Sequence, residues 1–109
     1  MINKRAECLK KANECVNGAR QHDYGNPEDN FALISRLWSE YLNGCGNDIC
    51  ISAVDVANMM ILLKAARSAT GIGKLDNYVD IAGYSACAYE MLENDMVEDE
   101  RIRNEQNSI

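Results

Sequence analysis

The 109-residue sequence predicts an all-α protein, an antiparallel bundle of four to five helices that associates into oligomers. Three observations lead there. The apolar share of 47% leans on Ala, Leu, Ile and Met, with only 6% aromatics, a composition that suits helices. A single proline and 7 glycines argue against a turn-rich β-sandwich. Apolar residues recur at three- and four-residue spacing in four separate stretches.

The first stretch runs from about Asn3 to Asn17, with Ile2, Ala6, Leu9, Ala12 and Val16 on one face and Gly18 placed to end it. The second opens at Asn26-Pro27, where Asn26 serves as N-cap, Pro27 fits the first helical position and Asp29 falls at N3 beside the positive helix end. It continues to about Leu42, burying Phe31, Ile34, Leu37, Trp38 and Tyr41, with Arg36 and Glu40 as an i,i+4 pair opposite. Asn43 to Ile51 reads as a loop, after which Ser52 and Asp55 form a capping box.

The third helix, from Ser52 to about Ser68, is apolar nearly all round, so it is either the central helix or part of an oligomer interface. Thr70 to Lys74 reads as a flexible connection. The fourth helix starts near Asp76 and reaches at least Leu92, with Tyr78, Ile81, Ala82, Ser85, Ala88 and Leu92 on one stripe. Residues 1–93 make a single helical domain, and 94–109 are an acidic helical extension or a solvated tail.

The net charge of −6 sits mostly at that C-terminal end, so nothing forms a basic footprint for a nucleic-acid backbone. Five cysteines without a C-x-x-C and a single histidine argue against structural zinc and for free thiols in a reducing compartment. The charged N-terminus reads against a signal peptide, and the longest apolar run, Met59 to Leu63, is too short to span a bilayer.

Some residues are not explained by packing alone. Arg20, His22, Asp23 and Tyr24 crowd just ahead of a helix N-terminus, where backbone N–H groups and basic side chains attract anions, and Asn30 lies in the same turn-to-helix stretch. Lys64 and Arg67 are the only basic residues on the third helix; they read either as cations favoured by the helix dipole or as a phosphate clamp. Asp80 lies among Val79, Ile81 and Ala82, where a carboxylate needs a cation: Lys64 or Arg67 in a salt bridge, or a ligand or metal. Asp76 lies one turn earlier on the same face, where it can instead be the N-cap of that helix, and Asp55 is already employed by the capping box. Tyr24, Trp38 and Tyr78 are aromatics able to stack on a base.

Four blocks together carry a family resemblance: Arg20 to Phe31 with its Asp-Tyr-Gly-x-Pro-x-x-Asn-Phe core, Leu37 to Leu42, Asp55 to Lys64 with Arg67, and Asp76 to Tyr84. Over roughly residues 12–90 the chain resembles a small uncharacterised family common in phages, prophages and their hosts. More distantly, its layout is similar to the all-α NTP pyrophosphohydrolases of MazG and dimeric dUTPase type. In those enzymes two helices present Glu-x-x-Glu and Glu-x-x-Asp to hold magnesium against a nucleoside triphosphate. Here the matching positions are Ser52-x-x-Asp55 and Asn77-x-x-Asp80, so only the second acid of each pair survives, with Asp76 as a substitute.

The resemblance therefore implies Asp55, Asp76 and Asp80 as metal ligands and Mg²⁺ as the cofactor, with fewer carboxylates to orient an attacking water. The expectation is a protein of the cytoplasm, that of the host if phage-encoded. It binds a phosphorylated nucleotide between helices or subunits of a homodimer or homotetramer, sequestering it, as a nucleotide signal of host defence, rather than hydrolysing it. A magnesium-dependent pyrophosphohydrolase is the second reading, and a ligand-free helical interaction module the third.

Overall fold

Each helix of the protein begins where a short polar side chain, or a glycine turn, satisfies its first N–H groups. The computed structural model describes residues 3–18 and 26–107, which form α1 (Lys4–Asn17), α2 (Pro27–Gly44), α3 (Ala53–Ala69) and α4 (Lys74–Asn107), with no strand among the described residues. The Asn3 side chain caps α1 by accepting from the N–H groups of Arg5 and Ala6, and Gly18 closes it by donating to Glu14 O at 2.9 Å. Asn26 caps α2 through Glu28 N–H at 3.2 Å, with Pro27 at the first helical position. Ser52 and Asp55 form the reciprocal capping box of α3, both bonds at 3.0 Å.

The α2–α3 loop is held by side chains. Asn43 donates to Ile49 O and accepts from Ile49 N–H, both at 2.9 Å, and Ser39 Oγ accepts from Ile51 N–H at 2.9 Å. The α3–α4 connection, expected to be flexible, is instead a tight Schellman turn. Gly71 N–H reaches Ser68 O, Ile72 N–H reaches Arg67 O, and Gly71 takes φ +78°. The buried Asn77 side chain donates back to Ile72 O and locks α4 onto the turn. α4 therefore starts at Lys74, two residues earlier than the sequence suggested, so Asp76 lies in its first turn and is not its N-cap.

α4 is the spine. α3 packs along it most extensively, α1 packs on it too, and α2 leans on α3 and meets α4 only lightly. Among the described residues the all-helical expectation holds, with four helices, and the arrangement is a bundle only roughly. The core gathers Phe31, Val56, Ala57, Cys87 and Met91, with Val16, Ile34, Ile51 and Tyr84 packed around them. Gly83 allows α1 to approach α4: a Cβ there would lie 3.3 Å from Val16 Cγ1.

Burial follows the predicted faces only in part on all four helices. On α1, Ala12 is buried and Val16 packs on the core, but Ala6 and Leu9 are exposed. On α2, Phe31 is buried and Ile34 and Trp38 pack on the core, but Leu37 and Tyr41 are exposed. On α3, Val56 and Ala57 are fully buried between neighbours, while Met59, Leu62 and Leu63 face outward. On α4 the buried face is rotated away from the predicted stripe. Asn77, Gly83, Cys87 and Met91 are inside, Ile81, Ala82 and Ala88 are half-buried, and Tyr78, Ser85 and Leu92 are exposed. The cause is that α4's contacts are set by small and polar residues, Gly83 against α1 and Asn77 against the turn, rather than by its largest apolar ones.

α4 continues as a helix through Asn107, its last turns laced by Arg101 to Glu98 and Glu105. The molecule is elongated, 59 × 39 × 26 Å, with a radius of gyration of 17.0 Å against about 13 Å for a compact chain of this length. Among the described residues no helix is long and apolar enough to cross a membrane.

Candidate functional site

Asp80 occupies a position in α4 that the packing of α3 converts into an ion pair. Its Oδ2 lies 3.0 Å from Lys64 Nζ, with the lysine side chain 19% and the carboxylate side chain 36% exposed. Lys64 can reach it because α3 and α4 run antiparallel on either side of the Schellman turn. Arg67, three residues on, is exposed and makes no ion pair among the described residues.

Asp80 also faces a cleft of about 180 Å³ between α1, α2 and α4. Pro27 and Phe31 of α2, Cys15 and Val16 of α1, and Val79, Gly83, Tyr84 and Cys87 of α4 complete its lining. The Phe31 and Tyr84 rings meet with centroids 6.0 Å apart, tilted by 37°. This is an aromatic and aliphatic wall with a single carboxylate set in it. Such a surface accepts a flat, partly polar group, the wall by stacking and Asp80 by accepting hydrogen bonds from amino or hydroxyl donors. Burial, and secondarily the negative charge of Glu90, push the Cys87 thiol above its ordinary range, so it stays protonated and inert there.

The expected site residues are brought together only in part. Lys64 and Asp80 meet. Trp38 packs against the core rather than lining the cleft. Tyr78 lies two residues from Asp80, about 200° around the helix, in a separate groove with Lys4, Arg5 and Lys11. Asn30 is at the exposed start of α2, its N–H bonded to Asn26 O at 3.3 Å. Arg20, His22, Asp23 and Tyr24 lie outside the described residues. They belong to the segment that joins Gly18 to Asn26, and Val16 and Pro27 on either side of it are both cleft residues.

The metal expectation named Asp55, Asp76 and Asp80. Asp55 is turned back onto Ser52 N–H, Asp76 is exposed in the first turn of α4, and Asp80 is paired with Lys64. Among the described residues no three His, Cys, Asp or Glu side chains gather into a set that could hold a metal ion. Sequence reasoning missed the cleft walls, because Phe31 read as core and Gly83 and Tyr84 entered only with the Asp76-to-Tyr84 block. The one available signal was Gly83, a helix-interior glycine beside Ala82, which marks a close approach.

The chain is similar to the Gene 55 proteins of two mycobacterial phages. It is 41% identical to that of Mycobacterium phage D29 over 86 residues, covering 78% of this chain and 53% of the relative. It is also 41% identical to that of Mycobacterium phage L5 over 93 residues, covering 85% and 55% respectively. The chain thus spans about half the length of these curated relatives. No solved structure matches it. The profile of a family described as a domain of unknown function (DUF6378) matches residues 7–92, which take in the cleft, the Lys64–Asp80 pair and the capped starts of α2 and α3. The chain belongs to the DUF6378 family.

Proposed function

We propose that the cleft beside Asp80 binds the base and sugar portion of a phosphorylated nucleotide and sequesters it, in a phage or prophage setting. The observation that supports this most is the placement of the Lys64-paired Asp80 in the wall formed by Phe31 and Tyr84. The rings offer a stacking face, and the carboxylate accepts from ribose hydroxyls or an exocyclic amine. At about 180 Å³ the cleft is smaller than the roughly 300 Å³ at which small-molecule pockets begin, so it takes part of a nucleotide and leaves the phosphates outside. Arg67 and Arg20 are the cations this reading assigns to those phosphates, and a second subunit can complete the enclosure.

The distant similarity to MazG-type enzymes supports a nucleotide as the ligand class, and the phage relatives support the setting. The engagement of Asp55 in its cap favours retention of the ligand over its hydrolysis by a metal-held water. A magnesium-dependent pyrophosphohydrolase using Asp55, Asp76 and Asp80 is the competing reading. The Lys64–Asp80 pair also favours one more, a ligand-free helical module in which Asp80 is needed only for structure.

A calorimetric screen of nucleotides, with and without Mg²⁺, followed by recovery of the ligand, separates all three. Binding with the ligand recovered unchanged is the expected result. Pyrophosphate release that disappears in Asp80→Asn would replace this reading with the enzyme, and no heat from any nucleotide would leave the ligand-free module.

A further inference from the structure

We propose that two copies of the protein pair through an antiparallel contact between their α4 helices, with the acidic end of each seated on the basic α1 groove of the other. The surface is a row of side chains on α4 at alternating spacings of three and four: Leu75, Tyr78, Ala82, Ser85, Tyr89, Leu92 and Met96. That 3.5-residue period is the signature of a helix that runs beside another in a left-handed coil.

In the single chain this row is bare except at Ala82, which is half-buried. Leu75 is 79% exposed, Tyr78 57%, Tyr89 72%, Leu92 51% and Met96 62%. The chain as a whole exposes 8409 Å², where a compact monomer of 12.2 kDa would expose roughly 6,100 Å². The surplus of roughly 2,300 Å² is in the range of about 1,000–2,500 Å² that each partner of an obligate homodimer buries.

Charge selects a second copy as the occupant and fixes its direction. Leu75, Tyr78 and Val79 form the apolar floor of a groove of about 470 Å³, rimmed by Lys4, Arg5 and Lys11 with Glu7. The segment that fits it is apolar at Leu92 and Met96 and acidic around them, through Glu93, Asp95, Asp99 and Glu100. Its own chain cannot deliver that segment, because Met96 lies 21 residues from Leu75 on one continuous helix, about 32 Å away.

Antiparallel pairing about Ser85 and Ala86 is self-consistent. With the two-fold axis between Ser85 and Ala86 of the two copies, it sets Leu75 against Met96 of the second copy and the small Ala82 against Tyr89, with Ser85 meeting Ala86 and Tyr78 within one residue of Leu92. A parallel pair would instead lay two acidic ends side by side. The pairing rests on the exposed face of α4 and stands whether or not the Asp80 cleft holds a nucleotide.

The test is the mass of the full chain by sedimentation and light scattering, with circular dichroism to show that each variant folds. The wild type is expected at twice the chain mass and Tyr89→Arg at the single mass, while Leu62→Arg on the exposed side of α3 stays paired. Leu75→Glu and Met96→Lys should each raise the dimer dissociation constant at least about tenfold, and the double variant should recover most of that loss. A monomeric wild type, a dimer broken by Leu62→Arg but not by Tyr89→Arg, or no recovery in the double variant would each overturn the proposal.

Discussion

Lys64 Nζ of α3 stands 3.0 Å from Asp80 Oδ2 of α4, and the same carboxylate forms part of the wall of the Phe31–Tyr84 cleft. One side chain thus joins the most extensive helix–helix contact to the candidate ligand surface. Its pairing is neither a solvated surface bridge nor a fully buried one, since the carboxylate side chain keeps 36% of its exposure. Exposed pairs contribute about 0–1 kcal/mol, whereas breaking a buried one costs about 3–5 kcal/mol. Lys64→Met and Asp80→Asn should therefore each cost about 1–2 kcal/mol in urea unfolding, and the double variant should cost less than their sum. Arg67→Ala should stay within about 0.5 kcal/mol of wild type, because Arg67 is exposed and unpaired among the described residues.

The α3–α4 turn makes a sharper demand. Gly73 has φ +81°, and a Cβ there would lie 2.8 Å from Asn77 Oδ1, on a side chain that is itself buried. Gly73→Ala combines backbone strain with a clash at the residue that fixes the start of α4. A loss of about 2–3 kcal/mol in chemical denaturation is expected. Gly71→Ala, at φ +78° with open space around its Cβ, should cost less, about 1 kcal/mol.

Asp55 separates a structural role from a metal role without any ligand present. Its carboxylate accepts from Ser52 N–H at 3.0 Å, and Ser52 Oγ accepts from Asp55 N–H in return. Ser52→Ala and Asp55→Ala should each destabilise the metal-free protein by about 0.5–2 kcal/mol, measured by urea unfolding in chelator. If Asp55→Ala unfolded at the wild-type urea concentration, the cap would not be what holds that carboxylate in place.

The helix starts were legible in the sequence because capping is local: Asn26-Pro27 and Ser52-x-x-Asp55 specify their geometry within four residues. The choice of face was legible only in part. Leu37, Tyr41, Tyr78 and Leu92 have the size and spacing of core residues, yet one chain leaves them exposed. Periodicity reports that a face is apolar and does not say whether its partner is in the same chain. The Lys64–Asp80 contact was one of two pairings the sequence allowed, and choosing between Lys64 and Arg67 required the relative rotation of α3 and α4. That rotation is set by Asn77 and the Schellman turn, which join the two helices. The cleft was hidden because Phe31 and Tyr84 look like any other core aromatics until α1 is placed beside them.

The cysteines give a probe of that cleft. Cys15 and Cys87 both line it, but Cys15 is exposed and Cys87 is buried, and burial with the nearby Glu90 raises the Cys87 thiol pKa. A thiol whose folded pKa is raised holds its proton more tightly in the folded state. Its stabilising contribution is complete below the unfolded value and is lost as pH rises through the folded one, from about pH 8.5 upward. Stability should therefore fall on the alkaline side, and less so in Cys87→Ala measured against its own neutral-pH value. With iodoacetamide at pH 8, Cys15, Cys45 and Cys50 should be alkylated first and Cys87 last, read by peptide mass spectrometry. A nucleotide seated against Asp80 would slow alkylation of Cys15 while leaving Cys45 and Cys50, in the α2–α3 loop, at their free rates. Equal rates at all three with a saturating nucleotide would place that ligand elsewhere on the protein.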